Sequence, residues 1–186
     1  MHDPRRVAVL ISGRGSNMRA LVEAAEGYEV VLVASNKPDA AGLAWAQDRH
    51  LPTWAEDNKG IGKEAYDRRL SDALHRHEVG TVALAGFMRI LSPWFVQEWA
   101  GRILNIHPSL LPKYRGLDTH ARAIAAGDPV SGCSVHVVTE ELDAGEVLGQ
   151  AEVAIEPSDS PEMLQQRVLA AEHVLYPKML REFVQR

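Results

Sequence analysis

A chain of 186 residues, 46% hydrophobic and 24% charged, has the size and balance of one soluble, well-packed domain. Its formal charge of −5 argues against a nucleic-acid binder that works through bulk electrostatics, though not against an anionic ligand held by local donors. Cys133 stands alone, which excludes a disulfide framework or a multi-thiolate metal site. The N-terminal apolar run is too short for a signal peptide, and no stretch reaches the roughly 20 residues of a membrane span. The expectation is a cytoplasmic, single-domain protein without nucleic-acid or membrane partners.

Three apolar runs read as buried strands: Val7–Ile11, Val30–Ser35 and Thr81–Phe87. They are continuous rather than alternating, as in a parallel sheet with helices on both faces. Helical patterns separate them. "NMRALVEAAEG" ends at Gly27, a C-cap type, and "KEAYDRRLSDALHRHEVG" stacks Tyr66, Leu70 and Leu74 at i, i+4 spacing. In "SPWFVQEWAG", Ser92 is the expected N-cap and Pro93 the first helical residue. Arg102–Ile106 reads as a further strand, and Pro108 and Pro112 close the segment behind it. After Gly116 the strands "CSVHVVT" and "EVLGQAEVAI" follow with less helix between them, which predicts a mixed or antiparallel extension of the sheet. A long helix from about Ser160 carries Met163, Leu164, Val168, Ala171, Leu175 and Met179 on one stripe, with Pro177 expected to kink it. Strand–helix alternation of this kind predicts a doubly wound, mostly parallel α/β sheet.

The loop "SGRGSN", Ser12 to Asn17, joins the first strand to the first helix. Gly13 and Gly15 allow close backbone approach, and Ser16 and Asn17 add donors at a positive helix end, which suits an anion. Dinucleotide and P-loop spacings are absent, so a single phosphate monoester is the ligand this loop fits. The competing reading is a tight turn capped by Ser16 or Asn17. Further on, Asn105 and His107 lie two apart in a strand and so project from one face, at the carboxyl end where open α/β sheets bind ligands. Taken alone, a packing account leads, with Asn105 satisfying a neighbouring loop and His107 a hydrogen-bonded, semi-buried histidine. Asp143, in "TEELDAGEV", sits in a glycine-containing turn where a carboxylate is commonly a local cap. Were the fold to join them, the carboxylate would orient the imidazole and the amide would stabilise an oxyanion. His2, His50, His75 and His77 read as tail, turn or solvated positions, His136 as a partly buried strand histidine, and Cys133 as core. Ser109 lacks a nucleophile-elbow context. No set of His, Asp and Glu has metal-ligand spacing.

The segments "VLISGRGSN", "VASNKPDAAGLAWA", "LAGFMRILSP", "GRILNIHPSLLPKY", "SVHVVTEELDAG" and "AEHVLYP", in this order, make the chain similar to the phosphoribosylglycinamide formyltransferases, the folate-dependent transformylases of purine biosynthesis. The resemblance spans nearly the whole chain. It implies a Rossmann-like sheet with a mixed C-terminal extension and a long closing helix, forming one formyltransferase domain over 1–186. Residues 1–100 would form its phosphate and ribonucleotide half, and 101–186 its folate-binding and catalytic half. It implies Asn105, His107 and Asp143 as the catalytic set. Gly15, Ser16 and Asn17 would hold the ribonucleotide phosphate, beside Gly13, and Glu172 would contact the ribose or the glycinamide. Met88, Arg89, Ile90 and Leu91 would line the folate pocket, with Arg89 facing the glutamate carboxylates and Lys63 able to meet an anion. The loop of Glu140, Glu141 and Leu142 would close over the pterin. The co-substrate would be 10-formyltetrahydrofolate and the acceptor glycinamide ribonucleotide, with no metal; monomer and homodimer both remain open.

The chain departs from that pattern after "KY", where Arg115-Gly116-Leu117-Asp118 replaces Pro-Gly-x-His, so Asp118 stands where a histidine is expected. Rival readings are a formyltetrahydrofolate hydrolase, a transformylase acting on methionyl-tRNA or an amino-sugar nucleotide, and a non-catalytic folate- or nucleotide-binding module. The "GRGSN" loop and the joint presence of the three catalytic positions weigh against them.

Overall fold

A computed structural model describes residues 2–186. Its elements in chain order are β1 (Arg6–Ile11), α1 (Ser16–Glu23), β2 (Glu29–Ser35), α2 (Ala41–Gln47), β3 (Thr53–Ala55), α3 (Lys63–Arg76), β4 (Thr81–Leu84), α4 (Pro93–Glu98), β5 (Ile103–His107), α5 (Thr119–Ala125), β6 (Val130–Val137), β7 (Val147–Ala154) and α6 (Pro161–Phe183). The strands form one sheet in the order β3-β2-β1-β4-β5-β6-β7. Pairing is parallel from β3 through to β5, and antiparallel for β5 with β6 and β6 with β7. The doubly wound sheet with an antiparallel extension is therefore as the sequence pattern predicted.

Both faces of the parallel half are buried, which is why β1 and β2 read as unbroken apolar runs. Val7, Val9 and Ile11 pack with Met18 and Leu21 of α1 and with Leu164, Val168 and Tyr176 of α6. The intervening Ala8 and Leu10 pack on the other face with Tyr66, Leu70 and Leu74 of α3 and Phe95 of α4. Each fully buried large side chain contributes about 1.5–3 kcal/mol. Ser92 caps α4 by accepting the Phe95 N–H at 3.2 Å, with Pro93 in the first turn.

Several details differ from the sequence expectations. The third apolar run stops as a strand at Leu84 rather than Phe87, because Gly86 turns the chain at φ 74° and its carbonyl accepts the Ser12 N–H. The first helix ends at Glu23, not Gly27. Met163, at 48% exposed, falls off the buried stripe of α6, which is one helix with Pro177 inside it. The short elements α2, β3 and α5 carry too few residues to display a period. Tyr176 of α6 donates to the carbonyls of Leu84 and Leu104, 3.0 and 3.2 Å away. This fastens the closing helix to the carboxyl ends of β4 and β5, the edge on which the site is built.

Candidate active site

A cavity of about 1080 Å³ lies along the carboxyl ends of β1, β4 and β5. Chain direction across the sheet reverses between β1 and β4, and open α/β sheets place ligands at such a switch point. At one end, Gly13, Gly15, Ser16 and Asn17 line the cavity together with Glu172. Gly15 is the N-cap residue of α1 in the left-handed region, and no side chain caps the helix. Neither Ser16 nor Asn17 caps the first N–H groups of α1, so the capping alternative does not hold, and such N–H groups suit an anion. Asn17 is buried and donates through Nδ2 to Glu172 Oε2 at 2.7 Å, while its Oδ1 has no partner in the protein. Burial pushes the Glu172 carboxyl above its ordinary range, against the opposing Asn17 hydrogen bond.

At the other end, β5 and β6 run antiparallel with Asn105 opposite His136 and His107 opposite Ser134, so these four polar residues share one face. Asn105 Nδ2 and His136 Nε2 are 3.2 Å apart, and His136 Nδ1 faces the Val137 carbonyl at 3.1 Å. His107 is 5% exposed, with Nε2 2.8 Å from the Tyr114 carbonyl and Nδ1 3.5 Å from Asp143 Oδ2. Asp143 Oδ1 lies 3.6 Å from His136 Nε2, and its Oδ2 accepts the Gly116 N–H at 2.9 Å. The structure thus brings Asn105, His107 and Asp143 together, although 38 positions separate Asn105 from Asp143 in sequence. Burial pushes the Asp143 carboxyl up, but the His136 imidazole, the Gly116 N–H and the charge of His107 outweigh it and hold the group below its usual value. Asp143 adopts φ 50°, a left-handed conformation that side chains rarely take and that a functional site can retain. Both ring nitrogens of His107 face oxygen acceptors. At 3.5 Å the Asp143 contact is long for a hydrogen bond, so Nδ1 remains open to a third group in the cavity.

Met88, Arg89, Ile90, Leu91, Glu140, Glu141 and Leu142 line the cavity as well. Met88, Ile90 and Leu142 are 69%, 68% and 57% exposed, an apolar rim suited to a flat aromatic ligand. The backbone beneath this rim is fastened at both ends. Ser12 Oγ accepts the Met88 N–H at 2.8 Å, and Asp67 accepts the Ser92 N–H at 2.6 Å.

Lys63 and Arg89, both expected at the folate pocket, are placed differently from each other. Lys63 does not line the cavity; it heads α3, and its carbonyl accepts from Arg89 at 2.8 Å. Arg89 does line it, but its guanidinium lies 3.2 Å from buried Asp67 and over the Tyr66 ring, with 10% of its side chain exposed. Its Nε and Nη2 are engaged by Asp67 and the Lys63 carbonyl. The sequence reading also missed His136, the Tyr114 carbonyl and the Gly116 N–H. Opposition across an antiparallel pair was the available signal for His136, but it required a register that the sequence does not supply. His120 lines the cavity too, and Asp118 starts α5 in the left-handed region. Burial, and then the nearby His107, push the His120 ring below its ordinary pKa. Among the described residues, no group of three metal-ligating side chains occurs and no helix is long and apolar enough to cross a membrane.

The glycine-rich loop and the Asn-His-Asp cluster thus meet in one cavity at the carboxyl edge of a doubly wound sheet. Comparison with known proteins places the chain in a family. Residues 5–180 match the formyl transferase family, and the chain belongs to it. It is 46% identical over 182 residues to phosphoribosylglycinamide formyltransferase of Escherichia coli (strain K12), covering 95% of this chain and 86% of that protein. It is 45% identical over 184 residues to the trifunctional purine biosynthetic protein adenosine-3 of Chironomus tentans, where it spans 13% of the relative's length. The crystal structure of phosphoribosylglycinamide formyltransferase from Brucella melitensis superposes with a TM-score of 0.91 at 45% identity, covering 97% of this chain and 96% of that one.

Proposed function

We propose that the chain is a single formyltransferase domain that moves the formyl group of 10-formyltetrahydrofolate to the amine of glycinamide ribonucleotide in purine biosynthesis. The observation that carries this reading is the convergence of Asn105, His107 and Asp143 in the cavity that the GRGSN loop also lines. The comparisons support it through the transformylases this chain resembles over most of their length. The substrates are soluble metabolites, which puts the reaction in the cytoplasm.

The cavity's two ends suit the two substrates. The uncapped end of α1 accepts the phosphate, and Asn17 with Glu172 faces the sugar. The apolar rim of Met88, Ile90 and Leu142 takes the pterin, with the 140–142 loop above it. In the reaction, the amine nitrogen attacks the formyl carbon and the carbonyl electron pair moves onto oxygen. N–H donors on Asn105 and His107 stabilise that oxyanion. His136 holds the Asn105 amide in place by engaging its Nδ2. The nitrogen that attacked must lose a proton, and the folate nitrogen must gain one as its bond to the formyl carbon breaks. Asp143 stays ionised at neutral pH, so its carboxylate can accept the first proton and relay it.

The test is a spectrophotometric assay of tetrahydrofolate release with and without glycinamide ribonucleotide. Release that depends on the amine substrate is expected. Release at the same rate without it would make the chain a hydrolase, and no release in either case would leave a binding module.

A further inference from the structure

The charge of the cavity opposes that of its proposed substrate. Six carboxylates line it: Asp118, Glu140, Glu141, Asp143, Glu162 and Glu172. The lining arginines and lysines are only Arg14 and Arg89, and Arg89 is already paired with Asp67. Arg14 is exposed and enters no ion pair or side-chain hydrogen bond among the described residues. A phosphate dianion entering this cavity therefore meets one uncommitted cation.

The loop fixes where that cation starts. The Gly13 carbonyl accepts the Gly42 N–H at 3.0 Å, which anchors the backbone just before Arg14. Gly15, just after it, has φ 70°, and a Cβ there would lie 2.8 Å from Met18 Cε and 3.4 Å from Gly42 Cα. Both neighbours of Arg14 are thus held, directly ahead of the uncapped α1 N–H groups. A second observation points to a ligand here. Asn17, 8% exposed in the first turn of α1, keeps its Oδ1 without a protein partner, an acceptor that a sugar hydroxyl or an N–H would satisfy.

We propose that Arg14 is the charge-recognition residue for the substrate's phosphomonoester, and that it sets the preference of this site for a phosphorylated over an unphosphorylated glycinamide riboside. This rests on the functional reading above. Helix-end N–H groups alone would hold a phosphate by hydrogen bonds and a partial charge. A guanidinium adds a full charge and a planar fork matched to two phosphate oxygens. In a cavity lined by carboxylates, that added charge decides between the dianion and the neutral riboside.

The experiment compares wild type, Arg14→Ala and Arg14→Lys with glycinamide ribonucleotide and with its dephosphorylated riboside, and titrates inorganic phosphate into each protein by calorimetry. Arg14→Ala should lower the ratio of kcat/KM for the two substrates about 10-fold or more, mainly through KM for the ribonucleotide. Arg14→Lys should restore part of the ratio, since it returns the charge without the fork. Phosphate binding should weaken in the same order. An unchanged ratio, or phosphate binding that is indifferent to the substitution, overturns the proposal. Failure of the wild-type protein to transfer a formyl group would instead count against the functional reading, and the phosphate titration would still decide the role of Arg14.

Discussion

The two ends of the cavity are made by opposite means. The anion end grows out of β1 and α1, whose residues are mostly apolar and whose ligand-facing groups are largely backbone N–H. It combines two glycines and an uncapped helix with Arg14, the cation proposed to read the phosphate. The chemical end lies where the sheet turns antiparallel, and there buried His107, Ser134 and His136 share one face with half-buried Asn105, and Asp143 lies beside both histidines. Its loops are held by side-chain-to-backbone bonds. Ser134 Oγ donates to the Ser109 carbonyl and accepts the Leu111 N–H, and Ser109 Oγ donates to the Lys113 carbonyl. Tyr114, Asp118 and Asp143 all have positive φ. Binding can be built from a fold's regular parts, whereas moving protons requires buried charges, and those need a network that satisfies each of them.

If that division is right, substitutions at the antiparallel end should act on turnover and those at the parallel end on affinity or stability. The largest effect is expected for Asp143→Asn, which keeps the shape but removes the ionised carboxylate. Its kcat should fall about 10³-fold, near the middle of the usual range for an acid–base group, with little change in folate affinity. A comparable loss in affinity would break the comparison. Next comes Gly145→Ala. A Cβ at that position would meet the Val137 carbonyl oxygen at 1.7 Å, so the 140–146 loop must shift and carry Asp143 with it. Misplacement by about 1 Å costs on the order of 10²-fold, and kcat is the quantity to measure.

The smallest effect belongs to the parallel end and is one of stability. The folded pKa of Glu172 is raised by burial, so its contribution is fully favourable below the unfolded carboxylate pKa and is lost as pH rises through the folded value. Glu172→Gln removes that loss. Its Tm should exceed that of wild type at neutral pH, and the difference should shrink as pH falls through the raised folded pKa and be gone below the ordinary carboxylate range of about 4. Thermal melts across pH read this directly, and a gap independent of pH would mean that Glu172 is not the titrating group.

How much of this was legible in the sequence follows the same division. The strands β1, β2 and β4 could be read because burial on both faces leaves continuous apolar runs, and α6 could be read from its stripe. Asn105 and His107 were visible as a same-face pair, but the residues alone left a packing account in the lead. It was the ordered set of segments that joined them to Asp143. His136 looked like an ordinary strand histidine because its partner, Asn105, is 31 positions away across a register that only the folded pair defines. The Tyr114 carbonyl and Gly116 N–H are backbone groups with no side-chain trace. The pairing of Arg89 was not legible, because a basic residue in a loop gives no sign that Asp67, buried on α3, engages it.

The most direct test of the central claim is single-turnover formyl transfer by His107→Ala, with folate and ribonucleotide affinities measured on the same protein. The account predicts a rate at least about 10²-fold below wild type with both affinities nearly intact, because His107 acts on the developing oxyanion rather than on either ground-state substrate. A near-wild-type rate, or a loss explained entirely by weaker binding, would contradict it.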